Sequence, residues 1–301
     1  MTQPKVSVVI PTYNSRGLVV ETIRSALASK LQDIEVVVIN DGSTDATSEE
    51  VRTILDQRVV LVEQRNQGIG AARNRGIELA RGEFIALLDH DDLWEPDYLD
   101  RQIGFLQSNP AIGAAICQWD CTDDPAELGL GPSIKEGVLP DVLSGLASGE
   151  IKIMSACLVL RTSALGAFRY TPERRVMEDA PFYLELFQRI VVGVSTRSVL
   201  MHYRRHQRNT SGDALYFLTG AKKVLQMRSE GKLLTTGALG YAATVCRQAC
   251  RKLSAQGHGR AAIATYLESF PLQYQLRRWK FLIAMPIEIA RGKVSNRRVG
   301  L

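Results

Sequence analysis

Three carboxylates are concentrated in one short segment of the chain. Asp89, Asp91 and Asp92 lie in the run LLDHDDLW, directly after an apolar stretch that predicts a buried strand. Carboxylates this close repel one another unless a cation lies between them, and their hard oxygen atoms suit Mg²⁺ or Mn²⁺, with water and substrate phosphate oxygens completing the shell. A structural alternative remains, because Asp-rich turns often cap helices and a helix is expected after Trp94.

The loop after the first predicted strand reads PTYNSRG. It lacks the closely spaced glycines that cradle a pyrophosphate, which disfavours a dehydrogenase or a sugar nucleotidyltransferase. Tyr13 instead offers an aromatic face on which a base can stack, and Thr12 and Asn14 can form hydrogen bonds to it. This loop is therefore a second candidate for ligand binding.

Short runs rich in β-branched residues predict the strands that position these loops, at residues 6–10, 35–39, 58–62 and 83–88. Helical stretches lie between them, so the expected fold class is α/β with a mainly parallel sheet covered on both faces. Ligands of open α/β sheets bind outside the carboxyl ends of the strands. We therefore expect one ligand to touch the loops after the first, second and fourth strands.

The rest of the chain divides by composition. Residues 121–149 are rich in Gly, Pro, Asp and Ser and predict a long loop with little regular structure. Strands are expected at 153–160 and 192–200 with a helix at 180–190 between them, and helices from residue 214 to the end. No segment predicts an export signal or a membrane-spanning helix, so we expect a cytoplasmic protein.

Charge and cysteine usage add two constraints. Residues 221–301 carry 15 Lys and Arg against 3 Asp and Glu, whereas the whole chain carries +5. Such a basic segment suits an anionic partner surface, and the alternative is a solvated helical face. The five cysteines predict buried thiols in a reducing compartment rather than disulfides, and a zinc site would need ligands beyond the two pairs at i, i+4.

Four runs together resemble one known family. VSVVIPTYN at 6–14, INDGSTDAT at 39–47, the segment from NQGIG to LLDHDD at 66–92 and MED at 177–179 occur in the order found in inverting glycosyltransferases of family 2. The similarity covers roughly residues 5–210. It implies a GT-A fold, which is Rossmann-like with a mainly parallel central sheet flanked by helices. We expect a catalytic domain at 1–212 and a basic helical region at 213–301 that contacts the acceptor or a membrane.

The resemblance also implies roles for individual residues. It implies a donor site for a nucleotide diphosphate-sugar, UDP-sugar by default, formed by Pro11, Thr12, Tyr13, Asp41, Arg73, Asp89, His90 and Asp91. Asp91 would bind Mg²⁺ or Mn²⁺ together with His206, and Asp179 would be the catalytic base. Secondary candidates are Asp92, Glu178 and Arg204, and the three arginines Arg204, Arg205 and Arg208 could meet phosphate oxygens.

The implied chemistry is a one-step displacement. A base deprotonates the acceptor hydroxyl, and a cation neutralises the departing diphosphate. Attack from the opposite face inverts the anomeric configuration. Several structural alternatives remain open. The negative charges of Glu178 and Asp179 would stabilise the following helix through its dipole. His206, which lies among arginines, would be a solvated surface residue, and His90 would have a structural role.

The C-terminal segment carries two further signals. QLRRW at 275–279 spells the Q-x-x-R-W element of processive polysaccharide synthases, although three fixed positions also coincide by chance. Residues 272–301 carry seven basic residues and one acidic residue mixed with aromatic and aliphatic ones, which is typical of a helix on an anionic membrane. No nucleic-acid-binding motif accompanies this charge.

The expected function is addition of one sugar to a glycan or lipid-linked acceptor during assembly of a cell-surface glycan. Peripheral attachment to the cytoplasmic face of the membrane is the alternative to a cytoplasmic location. Two alternatives remain. One is a processive synthase that makes long products, and the other is a non-catalytic nucleotide-sugar-binding scaffold.

Overall fold

The computed structural model describes residues 3–172, 177–206, 209 and 213–291, which form two compact units. The first unit contains residues 3–142, 149–172 and 189–206. The second contains residues 143–148, 177–188, 209 and 213–291. Within these ranges no helix combines the length and the apolar character needed to span a bilayer.

Strands and helices alternate through the first part of the chain. In order they are β1 (Val6–Thr12), α1 (Val19–Leu27), β2 (Ile34–Asn40), α2 (Thr47–Arg52), β3 (Val59–Glu63), α3 (Ile69–Leu79), β4 (Phe84–Leu87), β5 (Leu93–Trp94) and α4 (Tyr98–Ser108). Every residue of β1, β2 and β4 is buried, as expected of central strands covered on both faces. The four strands predicted in this region are confirmed.

Later strands extend the same sheet. They are β6 (Ala114–Cys121), β7 (Asp124–Leu128), β8 (Gly137–Leu139), β9 (Leu158–Arg161) and β10 (Val192–Tyr203), and the short helices α5 (Val142–Ser148) and α6 (Thr162–Leu165) lie among them. The strand order is β3-β2-β1-β4-β9-β6-β10-β5, with β7 on β6 and β8 on β10. β3, β2, β1 and β4 are mutually parallel, while β9 runs antiparallel to β4 and β6. The α/β class with a central sheet flanked by helices is confirmed.

Helices cover both faces of the sheet. On one face, Ile23 of α1 and Leu99 of α4 join a cluster with buried residues of β1 and β2. On the other face, Ala72 of α3 packs on Val37 and Ile39. The contact of α3 with β1 is close enough that a Cβ atom added at Gly76 would lie 2.2 Å from Cγ1 of Val9.

One prediction for the middle of the chain is wrong. The segment 121–149 is not a structureless loop, because it contains β7, β8 and α5. The sequence DPAEL of β7 shows no alternation of apolar residues and is largely exposed. It becomes a strand by pairing with the already formed β6. The strand expected at 153–160 begins instead with a 3₁₀ turn at Ser155–Cys157, and β9 follows it.

The second unit is helical. Its main elements are α7 (Asp179–Leu186), α8 (Ala214–Ser229), α9 (Thr236–Ala255), α10 (Gly259–Gln275) and α11 (Trp279–Arg291), which confirms the helical prediction through residue 291. Phe281, Leu282 and Met285 of α11 pack with Cys250 and Tyr266 in one cluster. All five cysteines of the chain are buried and free, and burial raises the pKa of Cys250 to about 12.

Candidate active site

Three strand-end loops of the first unit lie side by side. The backbone N–H of Asp41 after β2 donates to the carbonyl of Thr12 at the end of β1, at 2.9 Å. Oδ1 of Asn14 accepts from the N–H of Thr44 at 2.8 Å. On the other side of β1, the N–H of Leu88 donates to the carbonyl of Val9 at 3.0 Å. The predicted convergence of the loops after β1, β2 and β4 is therefore present in the structure.

The carboxylate of Asp41 holds a fourth segment in place. Asp41 is buried and accepts hydrogen bonds from the backbone N–H groups of Gln67 at 2.9 Å and Gly68 at 2.7 Å, and from Nε2 of Gln64 at 2.8 Å. Gly68 has a φ of 98°, a region that favours glycine. Asp41 thus positions the turn that leads into α3, a contact that the sequence did not reveal.

The residues of the first loop differ in exposure. Pro11 and Thr12 are buried at the end of β1, and the Thr12 hydroxyl contacts that of Ser15. Tyr13 is 45% exposed. An exposed aromatic ring beside a ligand-binding edge is available for stacking on a planar group. Tyr13 therefore has the accessibility that its predicted role requires.

Arg73 and Asp89 form a largely buried ion pair. NH2 of Arg73 lies 2.6 Å from Oδ1 of Asp89, and the Arg73 side chain is only 2% exposed. The guanidinium also lies over the ring of Tyr170, 5.1 Å from its centroid. The sequence predicted both charged residues at the donor site but not Tyr170, which follows Arg73 in the chain by almost a hundred residues and carries no local signal. The ion pair balances one of the three clustered carboxylates.

Asp91 faces His206, which lies three residues after the end of β10. Nε2 of His206 lies 2.9 Å from Oδ2 of Asp91. The neighbouring Asp92 is buried and accepts from the backbone N–H of Arg204 at 3.1 Å. Burial, followed by the charges of Asp91 and Asp89, raises the pKa of Asp92 well above its ordinary value. Helix α4 takes Asp97 as its N-cap residue, so the three carboxylates do not cap it.

Arg204 fastens the acidic loop to α1. Its Nε donates to the carbonyl of Asp91, and its NH2 donates to Oγ1 of Thr22 at 3.0 Å. The Thr22 hydroxyl in turn lies 2.8 Å from the carbonyl of His90 and 3.0 Å from that of Asp92. Arg204 therefore uses its guanidinium inside the protein, where it positions the loop that carries Asp91. The contact of His90 in this network is through its backbone.

Arg205 and Arg208 are the other two candidates for contact with phosphate oxygens. Arg205 pairs with Glu127, its NH2 lying 2.6 Å from Oε2. Arg208 lies outside the described residues.

Asp91 and His206 are the candidate ligands for a divalent cation in this site. Across the described ranges of both units, no group of three or more His, Cys, Asp or Glu side chains is arranged to hold a metal ion. Asp91 and His206 nonetheless offer one carboxylate oxygen and one imidazole nitrogen 2.9 Å apart. Mg²⁺ and Mn²⁺ often take one or two protein ligands and complete their shell with water and phosphate. The pair would therefore fit a cation of that kind, with the remaining ligands supplied by water and a substrate.

The MED segment belongs to the second unit, where α8 holds it. The backbone N–H of Met177 donates to Oγ1 of Thr219 at 3.2 Å, and Tyr216 donates its hydroxyl proton to Oε2 of Glu178 at 3.1 Å. Glu178 is buried and is the N-cap residue of α7, but its side chain makes no capping hydrogen bond. Asp179 is the first residue of α7 and is partly exposed.

Gln275, Arg278 and Trp279 of the QLRRW run lie at the junction of α10 and α11. Arg278 donates to the carbonyl of Gly240 at 3.0 Å and to Oγ1 of Thr244 at 2.9 Å. In this chain Arg278 therefore joins α11 to α9.

One charged cluster near the acidic loop was not predicted. Nδ1 of His202 lies 2.6 Å from Oδ1 of Asp120, and Nε2 lies 2.9 Å from Oε1 of Glu95. Burial lowers the pKa of His202, but its hydrogen bonds to the two carboxylates and their charges together raise it. His202 and Asp120 are cross-strand neighbours in β10 and β6, a pairing between distant residues that no local pattern reveals.

Several known proteins resemble this chain in sequence or in fold. The sequence pattern of "Glycosyl transferase family 2" matches residues 7–150. An uncharacterized glycosyltransferase of Haemophilus influenzae is 31% identical over 193 residues, 63% of this chain and 74% of the relative. The putative glycosyltransferase EpsH of Bacillus subtilis is 31% identical over 216 residues, 68% of this chain and 62% of EpsH. ExoO, a succinoglycan biosynthesis protein of Rhizobium meliloti, is 50% identical over 114 residues, 38% of this chain and 32% of ExoO.

The chain spans 62% of EpsH and only 27% of a second relative, an uncharacterized glycosyltransferase of Rickettsia bellii. Among solved structures, S. aureus TarS 1-349 in complex with UDP-GlcNAc has a TM-score of 0.62 at 17% identity, covering 90% of this chain and 92% of TarS 1-349. The mannosyltransferase PcManGT from Pyrobaculum calidifontis, in complex with GDP-Man and Mn²⁺, has a TM-score of 0.59 at 19% identity, covering 98% and 89%. These likenesses support the fold. The Haemophilus relative, together with the family match, establishes that this chain belongs to glycosyl transferase family 2.

Proposed function

We propose that this chain transfers one sugar from a nucleotide diphosphate-sugar to an acceptor hydroxyl, with inversion at the anomeric carbon. The observation that carries the proposal is the Asp91–His206 pair, 2.9 Å apart beside the Asp89–Arg73 ion pair, at the carboxyl ends of parallel strands. Ligands of open α/β sheets bind at that edge. Family membership supplies the transfer chemistry for which such a site is suited.

The donor is proposed to bind along the edge formed by the loops after β1, β2 and β4. Tyr13 would stack on the base because its ring is 45% exposed. Asp41 would face the base edge, since a carboxylate accepts about four hydrogen bonds and three are already formed within the protein. Arg73 and Asp89 would orient the ribose or the donor sugar. UDP is the default carrier, and GDP is the alternative that PcManGT's ligand suggests.

The proposed chemistry assigns two tasks to two acidic residues. Asp179 would take the proton of the acceptor hydroxyl as it attacks the anomeric carbon from the face opposite the diphosphate. Asp91 and His206 would hold Mg²⁺ or Mn²⁺, which neutralises charge on the leaving diphosphate. Arg204 would keep the loop of Asp91 in place through the contacts with Thr22 and the Asp91 carbonyl. Glu178 would fix the start of α7 by its hydrogen bond to Tyr216.

The acceptor is proposed to be a glycan or a lipid-linked glycan of the cell surface. Support comes from the name of ExoO, a succinoglycan biosynthesis protein that is 50% identical over 114 residues. A lipid-linked acceptor would bring the protein to the cytoplasmic face of a membrane. We further propose that residues 1–212 form the catalytic domain and that residues 213–301 contact the acceptor or the membrane.

Product stereochemistry tests the proposal. Purified protein is incubated with UDP-glucose, UDP-galactose, UDP-GlcNAc or GDP-mannose and Mn²⁺, and the sugar released to water is followed by proton NMR before mutarotation. An α-linked donor should release the β-sugar. The Asp179→Asn variant should lose this activity and still bind the nucleotide. Release of the α-sugar, or an unchanged rate in Asp179→Asn, contradicts the proposed mechanism.

A further inference from the structure

Helix α10 carries an exposed apolar stripe. Ile263, Leu267, Phe270 and Tyr274 are 47%, 61%, 40% and 57% exposed. Their spacing of i, i+4, i+7 and i+11 places them on one face of a helix. The opposite side of α10 is buried, as Ala262, Tyr266 and Leu272 show, so the stripe is not the side that packs in the helical core.

Helix α11 continues this stripe. Trp279, Ile283 and Ile287 are 49%, 68% and 48% exposed and recur at i, i+4 and i+8. The two stripes meet through their aromatic rings, since Tyr274 lies edge-on to Trp279 with ring centroids 5.2 Å apart and stacks on Phe270 at 6.3 Å. We call the seven residues of the two stripes the aromatic-aliphatic face. Large contiguous apolar surfaces of this kind mark interaction sites.

The structure changes which residues form this face. The sequence pointed to the aromatic and aliphatic residues of the C-terminal tail, but Phe281 and Leu282 are buried and pack with Tyr266 and Met285. Only Trp279, among the aromatic residues of α11, is exposed. Four of the seven residues come from α10, and three of these precede residue 272, where the tail typical of a membrane-surface helix begins.

The charge around this face identifies its partner. Arg260 on α10, Arg277 in the turn between the two helices and Lys280 on α11 are exposed. The residues from 221 to 301 carry 15 basic against 3 acidic side chains, and Glu288, one of these three, is paired with Arg251 at 3.5 Å. A basic rim around an apolar face suits an anionic surface with a hydrocarbon interior. A second copy of the chain would bring two strongly basic segments together, which like-charge repulsion disfavours.

We propose that the aromatic-aliphatic face of α10 and α11 docks on the surface of an anionic lipid bilayer. The aliphatic side chains enter the boundary between headgroups and acyl chains, Tyr274 and Trp279 lie at headgroup level, and the arginines and Lys280 meet lipid phosphates. This surface is independent of the transfer chemistry. Its failure would leave the proposed donor site untouched.

Tryptophan fluorescence tests the docking directly. The chain has three tryptophans, of which Trp94 and Trp119 are 5% and 3% exposed and only Trp279 is substantially exposed. Phosphatidylcholine vesicles with 30% phosphatidylglycerol should shift the emission of the full chain to the blue, and brominated acyl chains should quench it. Pure phosphatidylcholine vesicles should give a much weaker change. Trp279→Phe should abolish the shift without abolishing co-sedimentation.

A double variant separates the apolar face from the basic charge. Leu267→Gln with Ile283→Gln should weaken co-sedimentation with the anionic vesicles about tenfold or more, because two exposed aliphatic groups no longer enter the boundary. Leu55→Gln with Leu234→Gln is the control, since both residues are 96% and 69% exposed but lie outside this face.

Three results would overturn the proposal. The first is wild-type protein that stays in solution with anionic vesicles. The second is a double variant that binds them as tightly as wild type, which would assign the contact to charge alone. The third is a lipid-free dimer in sedimentation velocity that the double variant abolishes, which would make a second copy the occupant of this face.

Discussion

Asp41→Asn is expected to destabilise the protein as well as alter the donor site. The Asp41 carboxylate accepts from Gln67 N and Gln64 Nε2 on Oδ1 and from Gly68 N on Oδ2. An asparagine that keeps its oxygen at the Oδ1 position turns its NH₂ group toward the N–H of Gly68. One charge-assisted hydrogen bond is then replaced by two donors facing each other, at a site where Asp41 itself is buried.

The magnitude follows from that single exchange. A hydrogen bond to a charged group contributes about 1.5–3 kcal/mol, and an unsatisfied buried donor costs a similar amount. We therefore expect Asp41→Asn to lower the free energy of unfolding by about 2–3 kcal/mol. For a domain of this size that corresponds to a fall of roughly 4–12 °C in melting temperature.

Urea unfolding and thermal melting of the nucleotide-free protein measure this effect. Asp33→Asn is the matched control, because Asp33 is exposed, and its stability should equal that of wild type. If Asp41→Asn unfolds at the same urea concentration as wild type, the carboxylate does not hold the turn before α3. Its three short contacts would then contribute nothing measurable, and the reasoning would be refuted.

Three further predictions concern other parts of the first unit. Glu95 and Asp120 raise the pKa of His202 against the effect of burial, so the contribution of His202 to stability is fully present below its unfolded pKa of about 6.5 and is lost as pH rises through the folded value. Urea unfolding from pH 5 to 9 should show this fall in wild type and a flatter profile in His202→Gln. Identical profiles in the two proteins would contradict this prediction. Arg204→Gln should weaken Mn²⁺-dependent nucleotide binding about 10–100-fold in calorimetry, because the loop that carries Asp91 loses its hydrogen bond from the Arg204 guanidinium. Unchanged affinity would show that Arg204 does not position this loop for binding. Gly76→Ala should lower the free energy of unfolding by about 1–3 kcal/mol in the same assay, since its Cβ would lie 2.2 Å from Cγ1 of Val9. A smaller loss would show that α3 can move away from β1 without cost.

The parallel half of the sheet was predictable because its strands are continuous β-branched runs. β1 and β2 are buried at every residue, so their apolar character is visible without knowledge of their partners. β7 is different, because its exposed residues form a strand only by pairing along β6. Short polar edge strands carry no periodic signal, so the composition of residues 121–149 predicts a loop instead.

The candidate site was predictable as a set of loops but not as a network. The sequence placed Asp41, Asp89 and Asp91 at strand ends, where the structure has them. It did not reveal that Asp41 holds the turn before α3, nor that Arg204 holds the acidic loop to α1. Both contacts join residues far apart in the chain, and pairing across such distances depends on tertiary structure rather than on local spacing.

Metal-dependent nucleotide binding is the most direct test of the central claim. Isothermal titration of UDP and GDP into wild type, Asp91→Asn and Asp33→Asn is carried out with Mn²⁺, with Mg²⁺ and with EDTA. The account predicts that one nucleoside diphosphate binds wild type and the Asp33 variant with the metal, and that EDTA or Asp91→Asn weakens this binding at least tenfold. Binding of neither nucleotide under any metal condition, or binding that is the same in EDTA and in Asp91→Asn, would contradict the proposed donor site.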